Sequence, residues 1–128
     1  MSQPHPKPFV YRAEVTSVYD GDSLRAVLDM GLSVRMKASC RLYGIDTPEL
    51  RSRVPGEKEA AQEARDFVKG LIMGQVVVIE SIEKPDKYGR LLVRVWTEDG
   101  VCVNDRLLEE GMARPYDGGE KISWAAWT

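Results

Sequence analysis

The sequence KEAAQEARDFVKGLIMGQVVVIESI, residues 58–82, predicts a helix followed directly by a strand. In its first part, apolar residues recur at helical spacing and charged residues take the other positions, which is typical of an amphipathic helix. The apolar set is Ala60, Ala61, Ala64, Phe67, Val68, Leu71 and Ile72. Gly74 favours the end of the helix, and the apolar run over residues 76–82 indicates a buried strand. This helix is therefore expected to connect two strands.

On both sides of this segment, the sequence predicts short strands separated by turns. β-Prone residues lie between clusters of Gly, Asp and Pro, which is typical of strands joined by tight connections. The expected strands cover residues 11–18, 23–28, 32–45, 76–82 and 91–97, and a short helix covers residues 103–110. The third strand is expected to bend near Gly44. The pattern predicts an α+β fold: a five-stranded barrel of the oligonucleotide-binding (OB) type, with a helix between strands three and four and a short helix after strand five.

Length and composition indicate a single domain of ordinary type. The chain has 128 residues, 43% of them hydrophobic and 30% charged, which is usual for one globular domain. Residues 1–10 are expected to form a flexible arm and residues 11–128 the domain. The sequence contains no apolar run of membrane-spanning length, and MSQPHPKPF does not resemble a signal peptide. We therefore expect a monomer in the cytoplasm without a membrane or protein partner, or a secreted protein if a leader has been removed.

The charged and titratable residues exclude some classes of site. Eighteen Lys and Arg against twenty Asp and Glu give a net charge of −2, whereas nucleic-acid-binding domains are usually basic. If phosphates are the ligand, positive charge must be local. His5 is the only histidine, so a histidine-based triad or zinc site would require it. Cys40 and Cys102 are expected to be buried free thiols.

Two acidic stretches provide candidate metal ligands. Asp20-Gly21-Asp22 is a hairpin signal typical of a type I′ turn, and Thr47-Pro48-Glu49 could begin a helix with proline at its first position. If the two stretches meet, they supply an all-oxygen ligand set. The set is Asp20, Asp22, Asp46, Glu49 and the Thr47 carbonyl. Such hard ligands suit Ca²⁺ or Mg²⁺, and without a cation the acids would repel one another.

Two arginines provide candidate phosphate ligands. Arg41 precedes the second acidic stretch and Arg90 follows the turn KPDKYGR, and a guanidinium fork matches phosphate oxygens. A simple salt bridge or a solvated side chain is the alternative for either arginine. Lys87 and Tyr88 add a cation and an aromatic face, as in proteins that hold single strands. Arg41 and Asp46 would face opposite sides of a flat strand unless a bulge intervenes.

Four motifs together resemble the staphylococcal nuclease (thermonuclease) family. They are YDGDS, RLYGIDTPE, DKYGR and VNDRLLEEGMARPY, in this order between about Val15 and Tyr116. The resemblance implies an OB-type barrel with helices, and calcium-dependent cleavage of DNA and RNA that leaves 3′-phosphate ends. Ca²⁺ is therefore the expected cofactor, with Mg²⁺ as the alternative, and nucleic acid is the expected substrate.

The resemblance also implies roles for the acidic residues. Asp22 and Asp46 match the family's carboxylate ligands of Ca²⁺, and Thr47 matches its carbonyl ligand. Glu49 matches the glutamate that contacts and orients the attacking water. Asp20 matches an acid near the metal that is not a direct ligand.

The remaining implied roles concern the substrate. Arg41 and Arg90 match the two arginines on the scissile phosphate. Lys87 and Tyr88 match residues that contact the nucleotide's other phosphate. Tyr116 is a candidate, by position only, for the family's tyrosine that lies along the base.

Two other classes of function stay open at this point. A catalytically silent OB domain could bind nucleic acid without cleaving it, but loss of the site should appear as replacement of the implied catalytic and metal-binding residues, and none is replaced. A protein-interaction module is the third class. Only the acidic net charge and the WAAW segment at residues 124–127 favour it.

Overall fold

A computed structural model describes residues 9–116, which form a closed barrel with two helices. The elements are β1 (Val10–Asp20), β2 (Ser23–Asp29), β3 (Arg35–Leu42), β4 (Ile45–Asp46), α1 (Glu57–Ile72), β5 (Val76–Glu83), β6 (Leu91–Trp96), α2 (Val103–Glu109) and β7 (Arg114–Pro115). The barrel order is β1-β2-β3-β6-β5, and β4 pairs with β7 in a separate two-stranded sheet. The predicted α+β barrel, with α1 between its third and fourth strands and α2 after its fifth, is confirmed.

The barrel encloses an apolar core that α1 extends. Alternate residues of the strands point inward, as the two-residue period of a strand requires, and their inward side chains are fully buried at Val15, Leu28, Ile79 and Val95. The inner face of α1 buries Ala61, Ala64, Val68 and Ile72, which follow helical spacing. Because two of these residues are alanines, the helix can lie close to the loops that it covers.

The predicted strand over residues 32–45 is wrong at both ends. Leu32 and Ser33 have φ angles of 55° and 64°, so they turn the chain between β2 and β3 instead of extending it. At the other end, Gly44 has a φ of 80°, a left-handed conformation that glycine adopts without strain. The chain turns there and begins β4, which pairs with β7 through Asp46 opposite Arg114. The turn at Gly44 therefore separates Arg41 from Asp46.

The prediction that Cys40 and Cys102 are buried free thiols is confirmed in part. Both are free thiols, but only Cys40 is buried, whereas Cys102 is half-buried. Burial raises the pKa of the Cys40 thiol to about 11, so this group is protonated at neutral pH.

Other predictions concern the ends of the chain and membrane helices. Of the predicted arm, residues 1–8 lie outside the described part of the chain, and Val10 already belongs to β1. The WAAW segment also lies outside it. Between residues 9 and 116, neither helix has the length and apolar character needed to cross a bilayer.

Candidate active site

The Asp20-Gly21-Asp22 segment joins β1 to β2, but it is not the expected type I′ turn. That turn requires positive φ at both central residues, and neither Gly21 nor Asp22 has one. Gly21 is needed for space instead, because a Cβ there would lie 3.0 Å from Cβ of Ala64 and 3.1 Å from Cγ2 of Thr47. This close approach brings the two acidic stretches together, and the Thr47 N–H donates to Oδ2 of Asp22 over 3.2 Å.

Arg41 occupies the corner made by the turn at Gly44. Its Nη1 donates to the carbonyl oxygens of Leu42 and Ile45, at 3.1 and 3.0 Å. Its Nη2 lies 3.5 Å from both Oδ2 of Asp22 and Oδ1 of Asp46. The odd spacing of Arg41 and Asp46 is therefore overcome by a turn and a second strand, not by a bulge within one strand.

Arg114, on β7, was missed by the sequence reasoning. Its Nε and Nη2 donate to Oδ2 of Asp46, at 3.3 and 3.1 Å. Arg41, Arg114, Asp22 and Asp46 are all buried, and we call these four residues the buried corner. Its two guanidiniums balance its two carboxylates, as burial of charge requires. The sequence feature that could have indicated Arg114 is that it is the single charged residue of the segment GMARPY, inside the last motif.

The loop that carries Glu49 is held by a second residue missed in the sequence, Glu57. The alternative of a helix beginning at Thr47-Pro48-Glu49 is wrong, because α1 begins at Glu57. The buried Glu57 carboxylate accepts from the Glu49 N–H at 2.8 Å and from Oγ of Ser52 at 2.6 Å. The position of Glu57 in the first turn of a helix favours a negative charge. An acid directly after Pro-Gly is the sequence feature that could have suggested that Glu57 holds the loop.

The turn before β6, residues 84–90, is built around Asp86, which the sequence reasoning also left out. Oδ1 of Asp86 accepts from the backbone N–H groups of Tyr88 and Arg90, both at 2.9 Å. Oδ2 accepts from Nε of Arg90 at 2.9 Å and lies 2.9 Å from its Nη2. Gly89, with a φ of 79°, allows the bend. We call this segment the rim turn. An Asp that accepts from the N–H group two residues later, here that of Tyr88, is a recognisable turn signal.

Two properties of the rim turn follow from these contacts. Burial raises the pKa of the Asp86 carboxyl, but the hydrogen bonds from the two backbone N–H groups and from the Arg90 guanidinium, together with its charge, outweigh burial and leave the pKa below its usual value. The Tyr88 ring is 72% exposed and lies between two cations, 5.2 Å from Nζ of Lys87 and 5.5 Å from Cζ of Arg90. An exposed ring with flanking cations is suited to a base and its phosphate.

One cleft of about 680 Å³ collects most of the predicted site residues. Seven of the nine line it: Asp20, Asp22, Arg41, Glu49, Lys87, Tyr88 and Arg90. Asp46 and Thr47 are buried behind this wall, in contact with Arg41 and Asp22 respectively. Tyr116 also lines the cleft, with its ring centroid 5.3 Å from Cζ of Arg41. Segments that are distant in the sequence therefore meet here.

Comparison with known proteins agrees with the resemblance of the four motifs. A family model described as staphylococcal nuclease homologue matches residues 39–123. The chain belongs to this family. It is similar to a protein named uncharacterized endonuclease from Escherichia coli, with 32% identity over 103 residues that cover 80% of this chain and 60% of the relative. A thermonuclease of Staphylococcus intermedius is 37% identical over 101 residues, 78% of this chain and 56% of the relative. The chain thus spans about 60% of the length of these relatives.

In this member of the staphylococcal nuclease family, carboxylates outnumber cations around the cleft. Three cations line it: Arg41, Lys87 and Arg90. Five carboxylates line it: Asp20, Asp22, Glu49, Glu83 and Asp86. Among residues 9–116, the wall therefore carries an excess of two negative charges, and the net positive charge expected at a phosphate site is not found in it. A polyanion would therefore be repelled unless a bound cation offsets this excess.

The carboxylates at the back of the cleft supply the oxygen atoms that a hard divalent cation prefers, although Arg41 and Arg114 already pair with them. Asp22 and Asp46 present carboxylate oxygens to the same Nη2 of Arg41, and the buried hydroxyl of Thr47 has no hydrogen-bond partner among the described residues. Within residues 9–116, no group of three or more His, Cys, Asp or Glu side chains is placed so that it could hold a metal ion. The donor type alone, carboxylate and backbone oxygen, is the one that Mg²⁺ and Ca²⁺ prefer.

Proposed function

We propose that this chain is a metal-dependent endonuclease that hydrolyses phosphodiester bonds of DNA, RNA or both, with Ca²⁺ as the working ion and Mg²⁺ as the alternative. The observation that carries this proposal is the single cleft in which carboxylates and two guanidiniums from distant segments converge. The names of the similar proteins, endonuclease and thermonuclease, support a nuclease of this kind.

The two arginines are suited to bind the scissile phosphate. Arg41 is held by two backbone carbonyls and two carboxylates, and Arg90 is held by Asp86. Donors fixed before the substrate arrives need little reorganisation when negative charge develops on the phosphate in the transition state. Arg90 can direct its Nη1 N–H groups at phosphate oxygens, whereas both Nη groups of Arg41 already face protein oxygens and leave its Nε–H for the phosphate. Their main contribution is therefore expected in the rate of cleavage.

Asp22, Asp46 and the Thr47 carbonyl would hold the divalent cation, with Asp20 nearby. When bound, such an ion lowers the pKa of a coordinated water and offsets negative charge on the phosphate. Glu49 is exposed at the cleft, so its carboxylate can accept a proton from the attacking water. The hydrogen bond from its own N–H to Glu57 fixes the backbone from which this carboxylate extends.

The products follow from which bond breaks. In-line attack of water on phosphorus forms one new P–O bond and breaks the bond to the 5′ oxygen. The proton of the water passes to Glu49, and the departing 5′ oxygen takes a proton from solvent. The phosphate then stays on the 3′ oxygen. Lys87 and Tyr88 are suited to hold the neighbouring nucleotide, because the exposed ring offers a stacking face beside a cation.

Labelled single- and double-stranded DNA and RNA, incubated with Ca²⁺, Mg²⁺ or a chelator, test this proposal. We expect endonucleolytic cleavage with Ca²⁺, its loss in chelator, and products whose 3′ ends become extendable only after phosphatase treatment. Binding without cleavage in every ion would instead support the silent OB domain. Cleavage that continues unchanged in chelator would contradict the proposed metal dependence.

A further inference from the structure

A second cleft of about 490 Å³ adjoins the candidate active site. The two clefts share Asp20, Ser23 and Arg90 in their walls. The rest of the second wall is formed by Ser17, Val18, Tyr19, Leu24, Arg25, Ser39 and Cys40. Lys87 and Tyr88 line only the first cleft. A chain bound across Arg90 could therefore enter a surface separate from the nucleotide contacts already described.

Tyr19 presents an exposed ring at this second cleft because of an irregularity in β1. The register between β1 and β2 shifts between Val18 and Asp20, so Tyr19 is the extra residue of a β-bulge. Bulges redirect a side chain and are common next to active sites. The Tyr19 side chain is 52% exposed. It contributes no packing to the core that would explain an aromatic residue here, whereas an exposed ring in a cleft can stack on a nucleobase.

Arg25 supplies a cation that lies two residues from Arg41 along the paired strands β2 and β3. On the paired strands, Ser23 lies opposite Arg41 and Arg25 lies opposite Ser39. Arg25 is thus displaced from Arg41 by two residues along the strands, about 7 Å. Successive phosphates of an extended single strand are spaced on the same scale. If one phosphate binds Arg41, the next can reach Arg25 in its exposed position on β2.

The charge of the second cleft differs from that of the first. Among the described residues, Arg25 and Arg90 line it together with one carboxylate, Asp20; because Arg90 is already paired with Asp86, Arg25 is the cation that this cleft adds. Farther along β3, Arg35 and Lys37 are exposed at alternate positions that share a face with Ser39. Arg35 lies opposite Asp29 on β2, so Arg25 and Lys37 supply the positive charge that can attract a phosphate to this side of the molecule.

We propose that the second cleft is an extended subsite for single-stranded nucleic acid. It holds one nucleotide beyond the scissile phosphate, with its base stacked on Tyr19 and its phosphate on Arg25. The occupant is a single strand because a base that stacks on a side chain must be free of its own pairing partner. The inference rests on the proposed function, since it presumes that the first cleft receives a phosphodiester.

Cleavage of two substrates by variant proteins tests this subsite. One substrate is a single-stranded oligonucleotide of about ten nucleotides, which is of the size that single-strand sites cover; the other is a nitrophenyl nucleotide ester too short to reach Tyr19. For Tyr19→Ala, KM for the oligonucleotide should rise about tenfold, with kcat unchanged. For Arg25→Gln, KM for the oligonucleotide should rise about three- to tenfold. The slope of log KM against log salt should also decrease by an amount that corresponds to the loss of roughly one phosphate contact. Neither change should affect the ester.

Two matched variants control for general effects. Phe9→Ala removes another exposed aromatic ring, and Arg65→Gln removes another arginine charge; neither residue lines either cleft. Both should match the wild type on both substrates. If Tyr19→Ala and Arg25→Gln behave like these controls, or if they impair the ester and the oligonucleotide equally, the subsite is wrong although the proposed function stands.

A binding measurement separates failure of the subsite from failure of the proposed function. If the wild type cleaves neither substrate, the proposed function fails. Fluorescence anisotropy of the labelled oligonucleotide with each variant then tests the second cleft alone. About tenfold weaker binding by Tyr19→Ala than by Phe9→Ala would support a binding site, and equal binding would overturn it.

Discussion

The buried corner and the rim turn each direct an arginine at the same cleft, but by different means. The buried corner combines Asp22, from the turn between β1 and β2, with Arg41, Asp46 and Arg114 from three strands, and their side chains are at most 9% exposed. In the rim turn, Asp86 and Arg90 are four residues apart, and their side chains are 17% and 31% exposed. The contacts of the buried corner require the folded barrel, whereas the contacts between Asp86 and Arg90 lie within a single turn.

This difference has an energetic consequence. A buried ion pair is costly to desolvate, so loss of one partner leaves an uncompensated charge. A partly exposed pair contributes less, because water and salt can partly replace it. The buried corner should therefore couple the geometry of the site to the stability of the fold, whereas the rim turn should affect the site with little effect on stability. Four experiments test this difference between the buried corner and the rim turn.

The largest expected effect is on stability, from Arg114→Met. The change removes the guanidinium that lies 3.1 Å from Asp46, a residue only 1% exposed, whereas Arg41 lies farther away, at 3.5 Å. We expect the free energy of unfolding to fall by about 3–5 kcal/mol, measured by urea denaturation. Arg94→Met breaks the exposed pair with Asp105 and should cost at most about 1 kcal/mol. Similar losses for both variants would remove the distinction between the two regions.

Arg41→Ala and Arg90→Ala compare the two arginines directly. Each change removes a fixed donor to the phosphate, so each should lower kcat by about 10²–10³-fold. Arg41→Ala should also destabilise the protein by about 3 kcal/mol or more, whereas Arg90→Ala should change stability by no more than about 1 kcal/mol. Cleavage rates and urea denaturation measure both properties. Near-normal cleavage by both variants would contradict the proposed mechanism.

Glu57→Gln tests whether a buried carboxylate outside the corner holds the loop of Glu49. The change weakens the bonds to the Glu49 N–H and to Ser52, with an expected cost of about 1–3 kcal/mol. The loop contains Arg51 and Arg53, so trypsin should cleave it faster. Glu59→Gln, an exposed change in the same helical turn, is the control. Equal trypsin cleavage of the two variants would show that Glu57 does not restrain the loop.

The smallest expected effect is that of Asp86→Asn, and it should depend on pH. Because the folded-state pKa of Asp86 lies below its usual value, the ionised pair stabilises the protein above about pH 4. That contribution is lost as the pH falls through the folded-state pKa. The variant should thus be less stable than the wild type by at most about 1 kcal/mol at pH 7, and the difference should vanish in acid. A difference that grows below pH 4 would contradict this assignment.

Much of the fold and part of the site could be predicted from the sequence. The periodicity of residues 58–72 predicts α1, and the motif DKYGR predicts the turn that carries Arg90. Asp86 could have been included, because its contacts are all within that turn. The bend expected near Gly44 is present as a turn. The strand over residues 32–45 was nevertheless predicted as continuous, because β-prone residues lie on both sides of Gly44 and the pairing of β4 with β7 involves residues distant in the sequence.

Features that depend on neighbours along the chain could be predicted from the sequence alone. They are the helix, the hairpins, the rim turn and the types of side chain available for chemistry. Helical spacing, turn residues and hydrogen bonds between nearby groups all act over a few residues. The contact of Arg114 with Asp46 and the close approach of Gly21 to Ala64 depend instead on how distant segments pack in the folded barrel. A buried charge is satisfied by whichever group the packing of distant strands brings to it, and no local pattern specifies that partner.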